Sequence, residues 1–339
     1  MALIIDRYRP AIVGELRAAL AGRNVTPYTL MRYHLGWEDR QGRPIEGRSG
    51  KLLRPALCLQ CCEAVRGDAR RALPAAASLE LLHNFSLIHD DVEDASLQRH
   101  GRETLWSLWG EAQAINVGDG MFALAHRTLL RLSDRGYSQQ ELLQAVRILD
   151  DASLRLCEGQ QRDLEYAEER IITRQDYLSM IEGKTAALLA ASGGLGALLG
   201  GGGPAAVDAL QEFGRRLGLA FQIRDDVLGI WGDTEETGKP AGDDLRGGKK
   251  SYPVVVGFER ASQNERQVLL SVVGDERLDL DSVHRARALL ARLGAREESE
   301  RAALEHADAA IAGLGPLTLE PARRTELEQL ARFAAQRRA

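Results

Sequence analysis

The chain contains 339 residues, of which 44% are apolar, and it carries a formal net charge of −5. This length suits one large domain or two ordinary ones, and the negative balance excludes a general nucleic-acid-binding surface. The N-terminus reaches a charge at Asp6 and is not expected to be a signal peptide, and no uncharged apolar run is long enough to span a membrane. The four cysteines suit buried thiols in a reducing compartment, so a cytoplasmic protein is expected.

Helical periodicity extends over nearly the whole chain. Apolar residues recur at three- and four-residue spacing at about 6–22, 51–66, 72–94, 112–133, 139–168, 174–199, 205–231, 250–262, 280–293, 295–313 and 320–337. The one strand-like stretch is YPVVVGF, within the segment at 250–262. A charged, glycine-rich segment at 232–250 is long enough to predict a mobile loop that covers a site. The sequence therefore predicts a single all-α domain over 1–339, built as a helical bundle.

Two groups of aspartates follow long apolar helical runs. The run LELLHNFSLIHDDVED ends with Asp90, Asp91 and Asp94, and LGLAFQIRDD ends with Asp225 and Asp226. Carboxylates about 5 Å apart repel by roughly 3 kcal/mol at an effective dielectric near 20, and the helix dipole adds to this cost. Asp-Asp pairs also occur at 150–151 and 243–244, so a pair alone is weak evidence, and a solvated helix surface explains the pair at 150–151. For the two groups, Mg²⁺ is the better explanation, because it bridges carboxylates to substrate phosphates.

A bound polyphosphate would require cations near these carboxylates. The candidates are Lys51 and Arg54 in GKLLRP, Arg99, His100 and Arg102 in QRHGR, Lys184 in EGKT, and Lys239, Lys249 and Lys250 in the glycine-rich segment. Any one of them, taken singly, fits a solvated surface charge. Lys184 is the exception, because it lies in a helix among apolar residues, where an unpaired lysine is unfavourable.

Taken together, these motifs resemble those of the trans-isoprenyl diphosphate synthases, or polyprenyl synthetases. The matching stretches lie in order over about residues 45–260 and are GKLLRP, DDVED with RHGR, GKT, GQQRDL, FQIRDDVLG and GKPAGDDLRGGKKSYPVV. The resemblance implies helices around a deep central cavity, a homodimer, and a C-terminal part, about 263–339, that serves for packing. It implies a reaction in which isopentenyl diphosphate is joined to an allylic diphosphate (dimethylallyl, geranyl or farnesyl), with Mg²⁺ as the cofactor.

The resemblance also implies a role for each matching residue. It makes Asp90, Asp94 and Asp225 the metal ligands, with Asp91 and Asp226 in support. It assigns isopentenyl diphosphate to Lys51, Arg54, His83 and His100. It assigns the allylic diphosphate to Arg99, Lys184, Lys239 and Lys249, lined by Thr185 and Gln222 and supported by Gln160 and Asp163.

Two positions depart from the family pattern. His100 stands where the family usually has a second arginine, so weaker binding of isopentenyl diphosphate is expected unless the imidazole is protonated or Arg102 replaces it. Gly229 stands where the family often has an aspartate, and metal binding is expected to survive because Asp225 and Asp226 remain.

The predicted product is C20 geranylgeranyl diphosphate, with C15 farnesyl diphosphate as the alternative. Bulky Phe85 beside small Ser86 resembles the C20-forming pattern, although a helical wheel alone favours Phe85 as ordinary core. If substitutions at Phe85 and Ser86 left the product length unchanged, the floor would lie elsewhere, as at Leu82 or on a facing helix. A class I terpene cyclase would not need the isopentenyl diphosphate residues. A non-catalytic subunit of a heteromeric synthase would be expected to have lost a metal motif.

Overall fold

The computed structural model describes residues 2–45, 50–232, 242–274 and 280–337. Helices dominate these ranges, so the predicted all-α class is confirmed. The contacts within the chain define two compact units. The first comprises Met1–Asp150, Ser192–Asp208 and Thr318–Arg323, and the second comprises Asp151–Ala191, Ala209–Leu317 and Arg324–Ala339. A single domain around a central cavity remains a prediction.

The helices are numbered here in chain order. They are α1 (Ala2–Leu20), α2 (Thr26–His34), α3 (Leu53–Ala64), α4 (Leu73–Glu93), α5 (Leu105–Trp109), α6 (Glu111–Leu129), α7 (Gln139–Glu168), α8 (Arg174–Ile181), α9 (Ala187–Leu199), α10 (Pro204–Trp231), α11 (Asp243–Arg246), α12 (Tyr252–Arg260), α13 (Gln263–Leu270), α14 (Leu280–Arg292), α15 (Ala295–Gly313) and α16 (Pro321–Gln336). A 3₁₀ turn follows α6 at Leu130–Arg135, and a π-helical turn joins α8 to α9 at Glu182–Ala186.

Helix α4 forms the core of the first unit, where it contacts α1, α3 and α6. Its side chains Leu79, Leu81 and Leu82 are fully buried. Burial of each such side chain contributes about 1.5–3 kcal/mol. The helix ends at Glu93, and the N–H of Asp94 still donates to the carbonyl of Asp90. Apolar packing of α4 therefore fixes the position of the first aspartate group at its C-terminal end.

The strand-like stretch YPVVVGF forms the first part of α12 in the second unit, so the helical segment predicted at 250–262 is confirmed and the strand-like pattern is misleading. Every residue from Tyr252 to Phe258 is buried. A helix that is buried on all sides has a continuous apolar sequence, and such a run cannot be distinguished from a buried strand by its pattern. Pro253 lies in the first turn of α12, a position where proline is favoured.

A short hairpin follows α4 and was not predicted from the sequence. Strands β1 (Gln98–Arg99) and β2 (Arg102–Glu103) pair in antiparallel register. The two residues that connect them, His100 and Gly101, have φ angles of 52° and 73°. Positive φ at both central residues is the signature of a type I′ turn, which matches the twist of a hairpin. The QRHGR motif is therefore a tight β-turn.

No helix in the described ranges is long and apolar enough to cross a membrane. The cytoplasmic location remains a prediction. Of the predicted mobile loop, residues 233–241, which include Lys239, lie outside the described residues.

Candidate active site

In the first aspartate group, Asp91 differs from its neighbours by its burial. Asp91 is 2% exposed and accepts a hydrogen bond of 2.8 Å from Nε of Arg99 on β1. Burial raises the pKa of Asp91, and the positive charge of Arg99 opposes this shift. Asp90 is partly buried and Asp94 is exposed, so both reach solvent. The hairpin thus provides Arg99 as the counter-ion of Asp91, the one buried carboxylate of this group.

The neighbouring residues of the hairpin explain the two basic positions after Arg99. His100 is exposed at the turn, whereas Arg102 donates to the carbonyls of Tyr33 and Glu38, at 2.8 and 2.9 Å. The guanidinium of Arg102 also lies over the Tyr33 ring, 4.1 Å from its centroid. Arg102 thereby ties the hairpin to α2 and the loop after it. This use of its guanidinium argues against the alternative in which Arg102 replaces the missing arginine.

Several basic side chains meet near the middle of α4. Burial lowers the pKa of His83, and the positive charges of Arg54 and Arg99 lower it further. The pKa of His34 is lowered to about 3, first by burial and then by Arg99, although a hydrogen bond with Asn84 opposes the shift. Both imidazoles are therefore neutral at physiological pH. Of the predicted isopentenyl diphosphate residues, Arg54 and His100 both lower the pKa of His83 by their charge, and Lys51 is exposed in the segment just before α3.

The residues that the sequence interpretation missed here are polar side chains inside the core. Glu80 is buried on α4 and offsets the charge of Arg54. Asn84 donates from Nδ2 to Oε1 of Glu80 at 3.2 Å. A buried polar residue in an apolar helix was the available signal, since such residues remain buried only when they have partners.

In the second unit, Asp226 is the centre of a hydrogen-bond network. It is fully buried and accepts from the hydroxyl of Tyr177, from Gln222 Nε2 at 3.1 Å, from Lys249 Nζ at 3.2 Å and from the backbone N–H of Tyr252 at 2.8 Å. Burial raises the pKa of Asp226, and the ammonium of Lys249 opposes this. Burial also raises the pKa of Tyr177, so its hydroxyl keeps the proton that it donates. Four donors around one carboxylate favour its ionised form.

The same network includes three of the residues predicted at the allylic diphosphate. Thr185 donates to Oε1 of Gln222 at 2.9 Å, and Gln222 in turn donates to Asp226. Burial alone would lower the pKa of Lys249, but the carboxylates of Asp226, Asp244 and Asp225 outweigh it and raise that pKa. The ammonium of Lys249 is therefore charged at neutral pH, with 46% of its side chain exposed.

Asp225, beside this network, is 48% exposed and has a partner that the sequence did not suggest. The buried guanidinium of Arg337 donates to its Oδ1 at 2.6 Å. Arg337 also lies over the ring of Phe221, 3.9 Å from the centroid, and its carbonyl accepts from Arg224 at 2.8 Å. The end of the chain thus balances the charge of a predicted metal ligand.

Lys184 lies in the π-helical turn, and its ammonium bonds to Oδ2 of Asp163 at 2.6 Å. A lysine in this apolar segment was expected to require a partner, and Asp163 of α7 is that partner. The two backbones approach closely at Gly159 and Gly183, where a Cβ added to Gly159 would lie 2.6 Å from the carbonyl carbon of Gly183. Single π-helical turns, such as the one that contains Lys184, are frequent at functional sites. Gln160, the other supporting residue predicted on α7, is buried.

The predicted chain-length residues lie in the C-terminal half of α4. Phe85 contacts the rings of Phe122 and His89 edge-on, with centroids 5.1 and 5.2 Å apart. Ser86 is buried and donates to the carbonyl of His83 at 2.8 Å, and Leu82 is fully buried. Phe85 therefore packs against Phe122 of α6.

The arrangement of the aspartates fits a hard divalent cation, and the buried and the accessible carboxylates differ in their surroundings. Asp91 and Asp226 are buried and bonded to protein donors, whereas Asp90, Asp94 and Asp225 reach solvent, Asp225 while it also accepts from Arg337. Within the described ranges, no group of three or more histidines, cysteines or acids is arranged to hold a metal ion by itself. Mg²⁺ usually takes one or two carboxylates together with water and substrate phosphates, so sparse protein ligands suit it.

A model of the polyprenyl synthetase family matches residues 42–290. The chain is 38% identical over 313 residues to the (2E,6E)-farnesyl diphosphate synthase of Mycobacterium tuberculosis, with 91% of this chain and 86% of that protein covered. It is also 38% identical over 318 residues to a geranylgeranyl diphosphate synthase of the same organism, with coverage of 94% and 90%.

Solved structures show the same relationship. The polyprenyl synthetase of Streptomyces coelicolor superposes with a TM-score of 0.92 at 36% identity, over 98% of this chain and 99% of that one. A geranylgeranyl pyrophosphate synthase of Corynebacterium glutamicum, complexed with isoprenyl diphosphate and magnesium, gives a TM-score of 0.84 at 27% identity, over 99% of each chain.

This chain belongs to the polyprenyl synthetase family. It is a prenyltransferase of the trans-prenyl diphosphate synthase class, which acts on isoprenyl diphosphates. Relatives of equal identity are a farnesyl and a geranylgeranyl diphosphate synthase, so similarity alone leaves the product length open.

Proposed function

We propose that the protein is a Mg²⁺-dependent geranylgeranyl diphosphate synthase, which condenses an allylic diphosphate with isopentenyl diphosphate. The observation that carries this proposal is the division of the aspartates by burial. Asp91 and Asp226 are almost inaccessible and hold protein donors, whereas Asp90, Asp94 and Asp225 remain accessible to solvent. Grouped carboxylates repel one another, and a divalent cation bound through the accessible ones together with substrate phosphates would relieve this repulsion.

The accessible aspartates are the residues that would hold the metal. Bound Mg²⁺ supplies positive charge that stabilises the departing diphosphate of the allylic substrate. Arg337 balances Asp225 through Oδ1. Asp91, tied to Arg99, orients the end of α4 and its two accessible neighbours.

Cationic side chains stabilise the diphosphate as the allylic C–O bond breaks. Lys249 is held by Asp226, and Lys184 is held by Asp163, so both ammonium groups are positioned before substrate binds. Preorganised charges of this kind avoid reorganisation during the reaction and stabilise the developing negative charge. Thr185 and Gln222, which are linked to the same network, line this part of the site.

The double bond of isopentenyl diphosphate then attacks the allylic cation, and a proton leaves the carbon beside the new tertiary cation for the released diphosphate. Arg54 binds the isopentenyl diphosphate as a cation, and His83 binds it as a neutral hydrogen-bond donor because its pKa is lowered by burial. Lys51 completes this subsite. Water must be excluded while the cation exists, since water would quench it.

The C20 product is supported by Phe85. Its ring, with that of Phe122, forms an aromatic pair on the α4–α6 face, about one and a half turns before Asp90. Ser86, on the adjacent side of α4, leaves room for a growing chain to pass. In the alternative, Leu82 forms the floor and the terminal product is longer.

The homodimer is supported by apolar residues on the surface of α7. Leu143, Leu154 and Leu164 are exposed on this helix, and Leu154 is 63% exposed. Light scattering after gel filtration should give twice the mass of one chain. Leu154→Glu should shift the mass towards one chain, whereas Leu304→Glu, an exposed leucine on α15, serves as the control.

The proposed activity is tested with purified protein, Mg²⁺, isopentenyl diphosphate and each allylic diphosphate in turn, followed by chromatography of the dephosphorylated products. We expect C20 alcohol with Mg²⁺ and no product in excess chelator. A terminal C15 product would make the protein a farnesyl diphosphate synthase. Cyclic hydrocarbons formed without isopentenyl diphosphate would indicate a terpene cyclase, and complete inactivity of the folded protein would indicate a non-catalytic subunit.

A further inference from the structure

The departure at Gly229 has a structural partner. Gly229 lies on α10 one turn after Asp225, so the two residues share one face of that helix. A Cβ atom added at residue 229 would overlap the side chain of Asp244, whose Cγ would be only 2.5 Å away. The space that a side chain at 229 would need is therefore filled by the carboxylate of Asp244.

Asp244 in turn contacts Lys249. Its Oδ2 lies 3.6 Å from the ammonium of Lys249, which also bonds to Oδ1 of Asp226 at 3.2 Å. The backbone N–H of Lys249 donates to the carbonyl of Asp244 at 3.0 Å. Only 14% of the Asp244 side chain is exposed, so its charge acts in a poorly solvated position. Two carboxylates, one from α10 and one from α11, thus hold one ammonium.

We propose that Gly229 and Asp244 form a matched pair that positions Lys249 for the allylic diphosphate. The absent side chain at 229 admits the carboxylate of Asp244, and this carboxylate holds the ammonium of Lys249 together with Asp226. Asp244 is a positioning residue, because it acts through Lys249. The inference rests on the proposed function of Lys249. It predicts that an aspartate at 229, which would restore the pattern of the family, is harmful in this chain.

The experiment combines Gly229→Ala, Gly229→Asp, Asp244→Ala and the double variant Gly229→Ala/Asp244→Ala. Each is measured for kcat and for the KM of the allylic and isopentenyl diphosphates. Gly229→Ala should lower kcat/KM for the allylic substrate by about 10–100-fold, because a misplaced catalytic group loses this much. Gly229→Asp should lower it at least as far. Asp244→Ala should give a similar loss, and the double variant should be no worse than Asp244→Ala alone, because the clash is then gone.

A second measurement follows Lys249 directly and does not depend on activity. Each protein, without substrate, is treated briefly with acetic anhydride at fixed pH, and acetylation of Lys249 is quantified by mass spectrometry. Loss of the Asp244 carboxylate, or its displacement by the methyl group that Gly229→Ala introduces, should speed acetylation by about tenfold, since each unit of lowered pKa gives tenfold more neutral amine. Lys250, which donates to the carbonyl of Gly248, is the internal reference and should not change.

Gly14→Ala on α1 is the matched control, because a Cβ there meets nothing within 4 Å. If Gly229→Ala keeps both wild-type kcat/KM and wild-type acetylation of Lys249, the pair does not exist. Additive losses in the double variant would also contradict it. If Gly229→Ala does not fold, Asp244→Ala alone must still speed acetylation. If acetylation changes as expected but the wild type lacks synthase activity, the pair stands and the proposed function fails.

Discussion

The two aspartate groups hold their buried carboxylates in different ways. Asp91, at the end of α4, depends on one guanidinium, and that guanidinium comes from a hairpin whose turn places His100 at positive φ. Asp226, near the end of α10, is held by four donors from three parts of the chain. The second group is therefore fixed by several donors within the core, whereas the position of the first depends on one ion pair from a short hairpin. Non-glycine residues with positive φ are uncommon, although histidine is enriched among them.

The largest effect on stability should follow the loss of Asp226. Asp226→Ala leaves Lys249 and Tyr177 without their shared acceptor, and breaking a buried pair in this way costs about 3–5 kcal/mol. Urea denaturation should show this loss of unfolding free energy, and activity should disappear with it. Asp150→Ala, another aspartate of an Asp-Asp pair, is the control and should stay within about 1 kcal/mol of the wild type.

Loss of an accessible aspartate should instead abolish activity in a folded protein. Asp90→Ala should lower kcat by about 10²–10³-fold, as removal of a group that stabilises developing charge does, while unfolding changes little. Asp225→Ala should do the same, although it also removes the partner of Arg337. Full activity of the wild type in excess chelator would contradict the metal assignment, as would near-normal turnover by both variants.

The length of the prenyl product should depend on side chains of α4 and should not depend on those of α10. Each isoprene unit adds about four or five buried carbons, worth roughly 3–4 kcal/mol in an apolar tunnel, so a blocking side chain should set the length sharply. Phe85→Ala should extend the product beyond C20, and Ser86→Phe should shift it to C15. Phe122→Ala, which removes the ring against Phe85, should lengthen the product less. Unchanged products in all three variants would place the floor elsewhere, as at Leu82.

The number of hydrogen-bond donors at each buried carboxylate should also affect the free energy of unfolding. Arg99→Gln removes the ion-pair partner of Asp91 and should cost about 1–3 kcal/mol, the penalty of an unsatisfied buried group. Gln222→Leu removes one donor of four at Asp226 and should cost about 1 kcal/mol. Equal losses of unfolding free energy for the two variants in urea denaturation would contradict the expectation that Asp226 tolerates the loss of one donor better than Asp91 does.

The smallest expected effect is on the pH dependence of the free energy of unfolding, and it arises from two histidines of the first unit. The pKa of His34 is lowered from 6.5 to about 3, and that of His83 is also lowered. Because the folded state prefers the neutral imidazole, this contribution to stability is present above about pH 6.5 and is lost as the pH falls towards 3. His34→Asn should reduce the loss of unfolding free energy between about pH 6.5 and 5.5 by about 1 kcal/mol. An unchanged pH dependence would contradict the assignment.

The sequence predicted the long helices well because their apolar periodicity is local. The segment predicted at 139–168 is α7 with the same bounds, and 205–231 differs from α10 by one residue. The nine-residue α2 was missed, because so short a helix gives too few repeats to recognise. The hairpin at QRHGR was missed because its strands have only two residues each.

The candidate site shows the same limit. The aspartates and lysines were identified because their motifs are short and contiguous. Tyr177 and Arg337 were not, because they meet their aspartates across 49 and 112 residues of chain, and nothing near either residue signals the contact. Gly229 was recognised as a departure, but the contribution of Asp244 depends on a close approach that only the folded backbone reveals.

We expect the accessible aspartates to bind metal while the buried ones orient the site. A crystal soaked with Mn²⁺ and an unreactive allylic thiodiphosphate, analysed by anomalous scattering, would locate the metal. Mn²⁺ should be bonded to carboxylate oxygens of Asp90 and Asp94, and Mn²⁺ should also be bonded to Asp225, with Asp91 still bonded to Arg99 and Asp226 still bonded to Tyr177 and Lys249. Mn²⁺ bonded directly to Asp226 or Asp91, with those protein hydrogen bonds broken, would contradict this expectation.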